Sequence, residues 1–533
     1  MSGIPLQDLK HGNATTEITM FPDGEAGETV DPVTAEKLGT NYDQKDMHRM
    51  GKLQELRRNF RFTSIVGYAV ILGATYPYAL STAVLSLTNG GTAGAIWMFL
   101  IGCIGMATCM LSMAEMASMA PTAGGQYHWV SEFAPKRYQK FLSYIVGWLC
   151  VLGWQGTMCA SAYTPAAQIQ GLIALNRESY SLPGSHACLM TIAITIFSIF
   201  FNTVLLRKLP LMEGIFLIIY VFGFVAIVTV LWVMGPRGDP ATVFTKFEDN
   251  AGWGNTGLST LVGILAPVVT LIGSDSACHL SEELKDAAYI LPRSMATTAA
   301  INYTLGFIMV ITFTFTIGDI QSILTTPTGQ PYIQLFLNAT QSRVGTSILT
   351  SLVILLLLFC AINQITTTSR QLFAFARDNG LPFSAFLSRI RPGWDVPLNA
   401  LVVTFVVVSL ASLIPIGSAI AFNILVSLGT VSLLASYFVV IACMMLKRVR
   451  GEKLLPSRFS LGRLGIFING FALAFLGVAF VMLFFPSAPH PTVQTMNWTI
   501  MIFCSVIIIS LVYYFVVGRH VYVGPVEYTR KDV

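Results

Sequence analysis

Asp275 follows directly on the apolar run Leu271-Ile272-Gly273-Ser274. Ionised side chains at membrane depth are costly and usually functional, so this acid could hold a substrate ammonium or take up and release a proton. A plainer use is also open, because an acid at the start of a helical segment caps free N–H groups and suits the positive end of the helix dipole. The two uses overlap, since a capping carboxylate beside a chain break also stands where a cation would arrive. Gly273, Ser274 and Ser276 surround the acid and complete a candidate substrate-binding set. His279 lies one turn further on, where it could shuttle protons or simply pack. Glu282 and Glu283 close the segment and suit solvent or a gate.

A second group would act through its main chain. Gly73-Ala74-Thr75-Tyr76-Pro77 interrupts another apolar stretch, and unwound backbone is tolerated in a membrane only where it is buried in protein or lines a cavity. Gly73, Ala74 and Thr75, with Tyr76, would therefore present N–H and C=O groups to a small ligand. Tyr76, Tyr78, Trp148 and Trp154 could wall an ammonium or anchor the chain by ordinary packing. Glu115 precedes the turn Pro121-Thr122-Ala123-Gly124-Gly125; it could belong to a gate or pair with Arg370 or Arg377. Asn363 and Thr367, four apart on one helical face with Thr366 and Thr368 adjoining, could coordinate Na⁺ or hydrogen-bond across helices.

The elements that must position these residues are membrane spans. Nine charge-free blocks run 62–114, 141–176, 179–206, 214–236, 251–274, 294–318, 344–369, 396–446 and 464–518. About 20 apolar residues cross a bilayer, and the first, eighth and ninth blocks are long enough to cross twice. Each of those three has turn residues near its middle: Asn89-Gly90-Gly91, Pro415-Ile416-Gly417 and Pro486-Ser487-Ala488-Pro489. The pattern predicts an all-α polytopic protein of twelve spans. Breaks in the first and sixth spans, five apart in the count, predict a five-plus-five inverted repeat with the site where the broken helices face each other. Repeat one covers about 62–236 and repeat two about 251–446; about 464–518 supplies two accessory helices. Residues 1–61 form a polar tail whose first half reads as disordered, and 519–533 a short C-terminal tail.

Of 32 Lys and Arg residues, only Arg177, Arg237, Lys246 and Arg343 fall on the side opposite the N-terminal tail. The positive-inside rule therefore puts both termini in the cytoplasm. It also puts the sequon Asn338-Ala339-Thr340, read as lying in a loop, on the outer side as a glycosylation candidate. The net charge of +5 is spread among loops and predicts no nucleic-acid partner. Nine cysteines show no CxxC spacing, so neither a metal site nor a disulfide framework is expected. Phosphate-binding and nucleophile motifs are absent, which excludes the usual enzyme chemistries, and no cofactor is expected.

The string SMAEMASMAPTAGGQYHWVSEFAP, Ser112 to Pro135, resembles the link between the second and third spans in the amino acid–polyamine–organocation superfamily, specifically its fungal amino acid/choline/GABA permease branch. GSDSACHLSEE, Gly273 to Glu283, is similar to that family's broken sixth span, and SRQLFAFARDNGLP, Ser369 to Pro382, to the cytoplasmic end of its eighth. The likeness covers nearly all of 45–525. It implies a leucine-transporter type fold and secondary active uptake of a small amine or amino acid, with choline, GABA, other amino acids and polyamines all open. It further implies H⁺ as coupling ion, and the plasma membrane or the vacuolar membrane as location. No Lys lies in 214–236 to replace a sodium ion, as one does in some bacterial relatives. The rival readings are a nutrient receptor of the same fold, which binds without flux, and a channel, which the paired breaks disfavour.

Overall fold

The computed structural model describes residues 39–525, apart from 51–53, 55, 206, 207, 319, 391–395, 418 and 494. The first half of the polar tail, expected to be disordered, and the last eight residues lie outside the described residues. Among the described residues twelve helices are long and apolar enough to cross a membrane, as the blocks predict. The first six are Phe62–Thr88, Gly91–Met119, Gln139–Asn176, Gly184–Val204, Leu209–Met234 and Thr256–Glu283. The last six are Ala287–Phe315, Arg343–Arg377, Leu398–Gly417, Val426–Val449, Gly462–Met482 and Thr499–Val521.

Burial sorts these spans into an inner and an outer set. The most apolar window of the tenth span is 78% buried within the protein and that of the twelfth only 6%. The twelfth thus leaves its side chains to lipid, as an accessory helix should. Inner helices approach closely where glycine allows it. A Cβ on Gly429 of the tenth span would lie 2.8 Å from the backbone N of Thr157 in the third, and one on Gly147 would strike the Phe375 ring.

Both expected breaks are present. The first span is two helices, Phe62–Gly73 and Thr75–Thr88, hinged at Ala74 in the left-handed region with φ 39°. The sixth ends its α-helical part at Leu271, passes Gly273 at φ 102°, and resumes as the 3₁₀ segment Ser276–Glu283. Opposite the N-terminal tail, Asn89–Gly90 pairs antiparallel with Glu248–Asp249. Gly90 there has φ 125°, which a side chain would resist.

Several spans run past the charges that cut the sequence pattern. The second continues past Glu115 to Met119, the fifth starts at Leu209 and encloses Glu213, the seventh starts at Ala287, and the eighth reaches Arg377. The described part of the tail docks beneath them. Helix Asn41–Arg49 is capped by Thr40 and Asp43. The Asp43 carboxylate also accepts from the backbone N–H groups of Asp286 (2.9 Å) and Ala287 (3.0 Å), opening the seventh span. Arg58 pairs with Asp43 at 3.2 Å and donates to the Leu284 carbonyl at 2.5 Å. Burial pulls its guanidinium below the usual arginine range, against the pull of Asp43.

Candidate functional site

A cavity of about 500 Å³ runs from the two breaks to Gln330 and Pro331 after the seventh span, and to Phe485 and Asn497 between the last two. Gly73 and Gly273 both line it, with Leu72, Ile272, Trp154 and Gln364. A Cβ built on Gly273 would lie 3.9 Å from the Gly73 Cα, so the breaks abut. Tyr78 stands in the wall and donates to Ser161 at 3.1 Å, while Gln364 donates to Thr157 at 2.7 Å. Among the described residues the lining contains hydroxyl, amide, aromatic and aliphatic groups but no Asp, Glu, Lys, Arg or His.

The predicted site residues therefore divide. Gly73 and Gly273 reach the cavity, whereas Ala74, Thr75, Tyr76, Ser274, Asp275 and Ser276 are buried beside it. Tyr76 turns to the fifth span, donating to the Tyr220 carbonyl at 3.0 Å and packing on the Tyr220 and Phe224 rings. Its neighbour Tyr78 takes the wall position, because two residues on a helix rotate the side chain to another face. Of the two tryptophans, Trp154 lines the cavity; Trp148 packs on Tyr144 and Tyr513 of the peripheral twelfth span.

Asp275 occupies the N-cap position of the 3₁₀ segment without a side-chain capping bond. Its carboxylate instead accepts from Tyr437 Oη and from Gln126 Nε2, each at 2.6 Å. It thereby joins the sixth span to the tenth and to the short helix Gln126–Phe133. His279 Nδ1 lies 2.9 Å from the Ala123 carbonyl and its ring meets Trp154 edge-on at 5.1 Å. On the tail side of these contacts, Arg377 donates to both oxygens of Glu282, at 2.6 and 3.0 Å, and Arg370 donates to Glu283 at 2.9 Å. Glu115 pairs with neither of these arginines. Its partner is Arg448, and the Leu461 N–H donates to it at 2.9 Å. Arg370 and Arg377 are already held by the sixth span, which is why the expected pairing fails.

The eighth-span row bonds across helices. Asn363 donates to the Tyr68 carbonyl at 3.1 Å and to Glu213 at 2.9 Å; Thr367 and Tyr68 share a hydrogen bond of 2.6 Å; Thr366 donates to Asn202 and Thr368 to the Trp154 carbonyl. Asn338 lies on helix Pro331–Thr340, not in a loop, with its amide donating to Ser322 and accepting from Gln334. Eight cysteines are buried and Cys504 is exposed; all are free. Among the described residues no cluster of three or more His, Cys, Asp or Glu could hold a metal. Gln126, Tyr437, Gln364 and Glu213 were missed by the pattern reading. Amides and a phenol at these places look like any helical residue, while Glu213 had a signal: it is the charge that bounds the fourth apolar block, 214–236, at its N-terminal end.

The profile of the amino acid permease family matches residues 60–509. A Macrophomina phaseolina protein named for amino acid/polyamine transport is 31% identical over 438 residues, covering 82% of this chain and 96% of that one. Amino-acid permease 2 of Neurospora crassa is 28% identical (98% and 96% covered), and the choline transporter of Saccharomyces cerevisiae 28% (87% and 82%). A solved manganese transporter of Eremococcus coleocola shares the fold, with a TM-score of 0.57 at 15% identity over 88% of this chain and 94% of that one. The twelve spans, the paired breaks and these matches together make the chain a permease-type membrane transporter of the leucine-transporter fold, a member of the amino acid permease family in the amino acid–polyamine–organocation superfamily.

Proposed function

We propose that this transporter imports one small zwitterion or monocation, of the size of choline, GABA or an amino acid, together with a proton across a fungal plasma membrane. The observation that carries the reading is the uncharged cavity ending on both breaks. Helix Phe62–Gly73 directs its negative end there, and helix Thr75–Thr88 its positive end, so backbone dipoles can hold an ammonium and a carboxylate without side-chain charge. Trp154 and Tyr78 add aromatic faces for a cation. A polyamine is disfavoured, because several ammonium groups would enter a wall without a carboxylate.

The charge asymmetry supports cytoplasmic termini, and in that orientation the cavity opens outward. The Asp275 cluster and the two Glu–Arg pairs then form the closed inner gate. Uptake of labelled choline, GABA and a panel of L-amino acids, in a strain lacking its own carriers, tests the reading. One substrate should accumulate, and should do so better at acidic external pH. Saturable binding without flux would overturn it.

A further inference from the structure

We propose that Glu213 is the residue that binds the coupled proton, an inference that rests on the proton-symport reading above. Glu213 lies near the start of the fifth span, wholly buried among the first and eighth spans. Among the described intramembrane acids it belongs neither to the gate nor to an ion pair. Glu115, Glu282 and Glu283 are each matched by an arginine, and Asp275 receives two hydrogen bonds. Among the described residues no Lys, Arg or His lies within ion-pair distance of Glu213 (4.0 Å).

Its surroundings are short of donors. Glu213 Oε2 accepts from Asn363 Nδ2 at 2.9 Å, whereas Glu213 Oε1 and Asn363 Oδ1 are both buried without a partner. A proton added to the carboxylate makes the neutral acid and supplies a donor where unmatched acceptors crowd, removing the cost of an uncompensated buried charge. On the first span the titratable group facing this pocket is Tyr68, which is within electrostatic reach of Glu213, Arg370 and Glu283. On the eighth it is Arg370, already paired with Glu283. The seventh span and helix Pro331–Thr340 also pack on the fifth. Their polar groups in contact with the fifth span are neutral, as where Tyr220 donates to Asn302.

The same contacts connect the acid to the moving part of the site. Asn363 donates at once to Glu213 and to the Tyr68 carbonyl, five residues before Gly73. A Cβ on Gly67 would come within 2.9 Å of the Glu213 carbonyl, so helix Phe62–Gly73 lies directly on the fifth span. When that half-helix leaves the fifth and eighth spans, cytoplasmic water reaches the carboxyl group and takes its proton as hydronium. On the return stroke the carboxylate takes a proton from external water before the half-helix closes over it again.

The purified transporter in liposomes, driven by an imposed pH gradient and offered labelled choline, GABA or an L-amino acid, gives one arm of the test. Glu213→Gln should lose pH-driven accumulation at least tenfold while counterflow of substrate persists, and Glu213→Asp should recover part of the coupling. Infrared difference spectra over a pH titration give an arm independent of substrate: a buried carboxyl C=O band should appear in the unaltered protein and vanish in Glu213→Gln. The band with no flux of any panel member would sink the symport reading yet support this proton site. Undiminished pH-driven accumulation by Glu213→Gln, a band that survives the substitution, or accumulation driven by sodium instead of protons would each overturn it.

Discussion

Tyr437 donates its hydroxyl to the Asp275 carboxylate at 2.6 Å, tying the tenth span to the broken sixth. Hydrogen bonds to charged groups contribute about 1.5–3 kcal/mol, enough to hold a gate that must also open. Tyr437→Phe removes this bond and leaves the Gln126 bond. Asp275→Asn keeps the shape and weakens both. We expect uptake to fall about tenfold in Asp275→Asn, equivalent to about 1.4 kcal/mol, and less in Tyr437→Phe. The double variant should be little worse than Asp275→Asn alone, because the two residues share one contact. Fully additive losses, measured as initial uptake rates, would separate the residues functionally.

The Arg377–Glu282 fork should tolerate no loss of geometry. Removing one member of a buried pair leaves the other uncompensated, at about 3–5 kcal/mol, and Lys cannot reproduce two parallel N–H donors. Arg377→Ala should abolish uptake, Arg377→Lys should retain a minor fraction, and Glu282→Gln should be milder than Arg377→Ala because the arginine is 16% exposed while the glutamate is 1%. These are read as uptake rates normalised to surface protein. A wild-type rate in Arg377→Ala would remove the pair from the gate.

Gly73 tests whether the first break is part of the site. Its added Cβ would meet Asn302 Nδ2 at 2.5 Å, displacing the amide that donates to the Val70 carbonyl. Gly73→Leu should therefore eliminate uptake with the protein still delivered to the membrane. Gly470→Leu is the comparison, since nothing lies within 4 Å of its added Cβ. Equal uptake by the two variants would place substrate elsewhere.

The spans and both breaks were legible because bilayer thickness, charge exclusion and Gly/Pro punctuation act on the chain locally. Span ends were legible only to the first charge. Glu115 and Glu213 look like boundaries in sequence, yet partners hundreds of residues away or a dry contact with Asn363 keep them inside the bundle. Side-chain direction at the site was the least legible property. Tyr76 and Tyr78 are equivalent in composition, and the hinge at Ala74 decides which of them faces the cavity. Asp275 was legible as important, while its partners Gln126 and Tyr437 required the fold.

Trp154 separates the substrate classes. Its ring lines the cavity, its indole N–H is buried without a protein partner, and His279 supports its edge. A desolvated ammonium on such a face gains about 2 kcal/mol, so Trp154→Ala should raise the KM for a quaternary ammonium substrate more than tenfold. Trp154→Phe keeps a face and should restore much of the affinity. A zwitterionic substrate draws instead on the helix-end dipoles and the indole N–H, so both variants should weaken it by a similar, smaller factor. Competition curves for choline, GABA and L-amino acids against each variant provide the measurement. An unchanged KM for every member of the panel in Trp154→Ala would show that this wall does not touch the substrate.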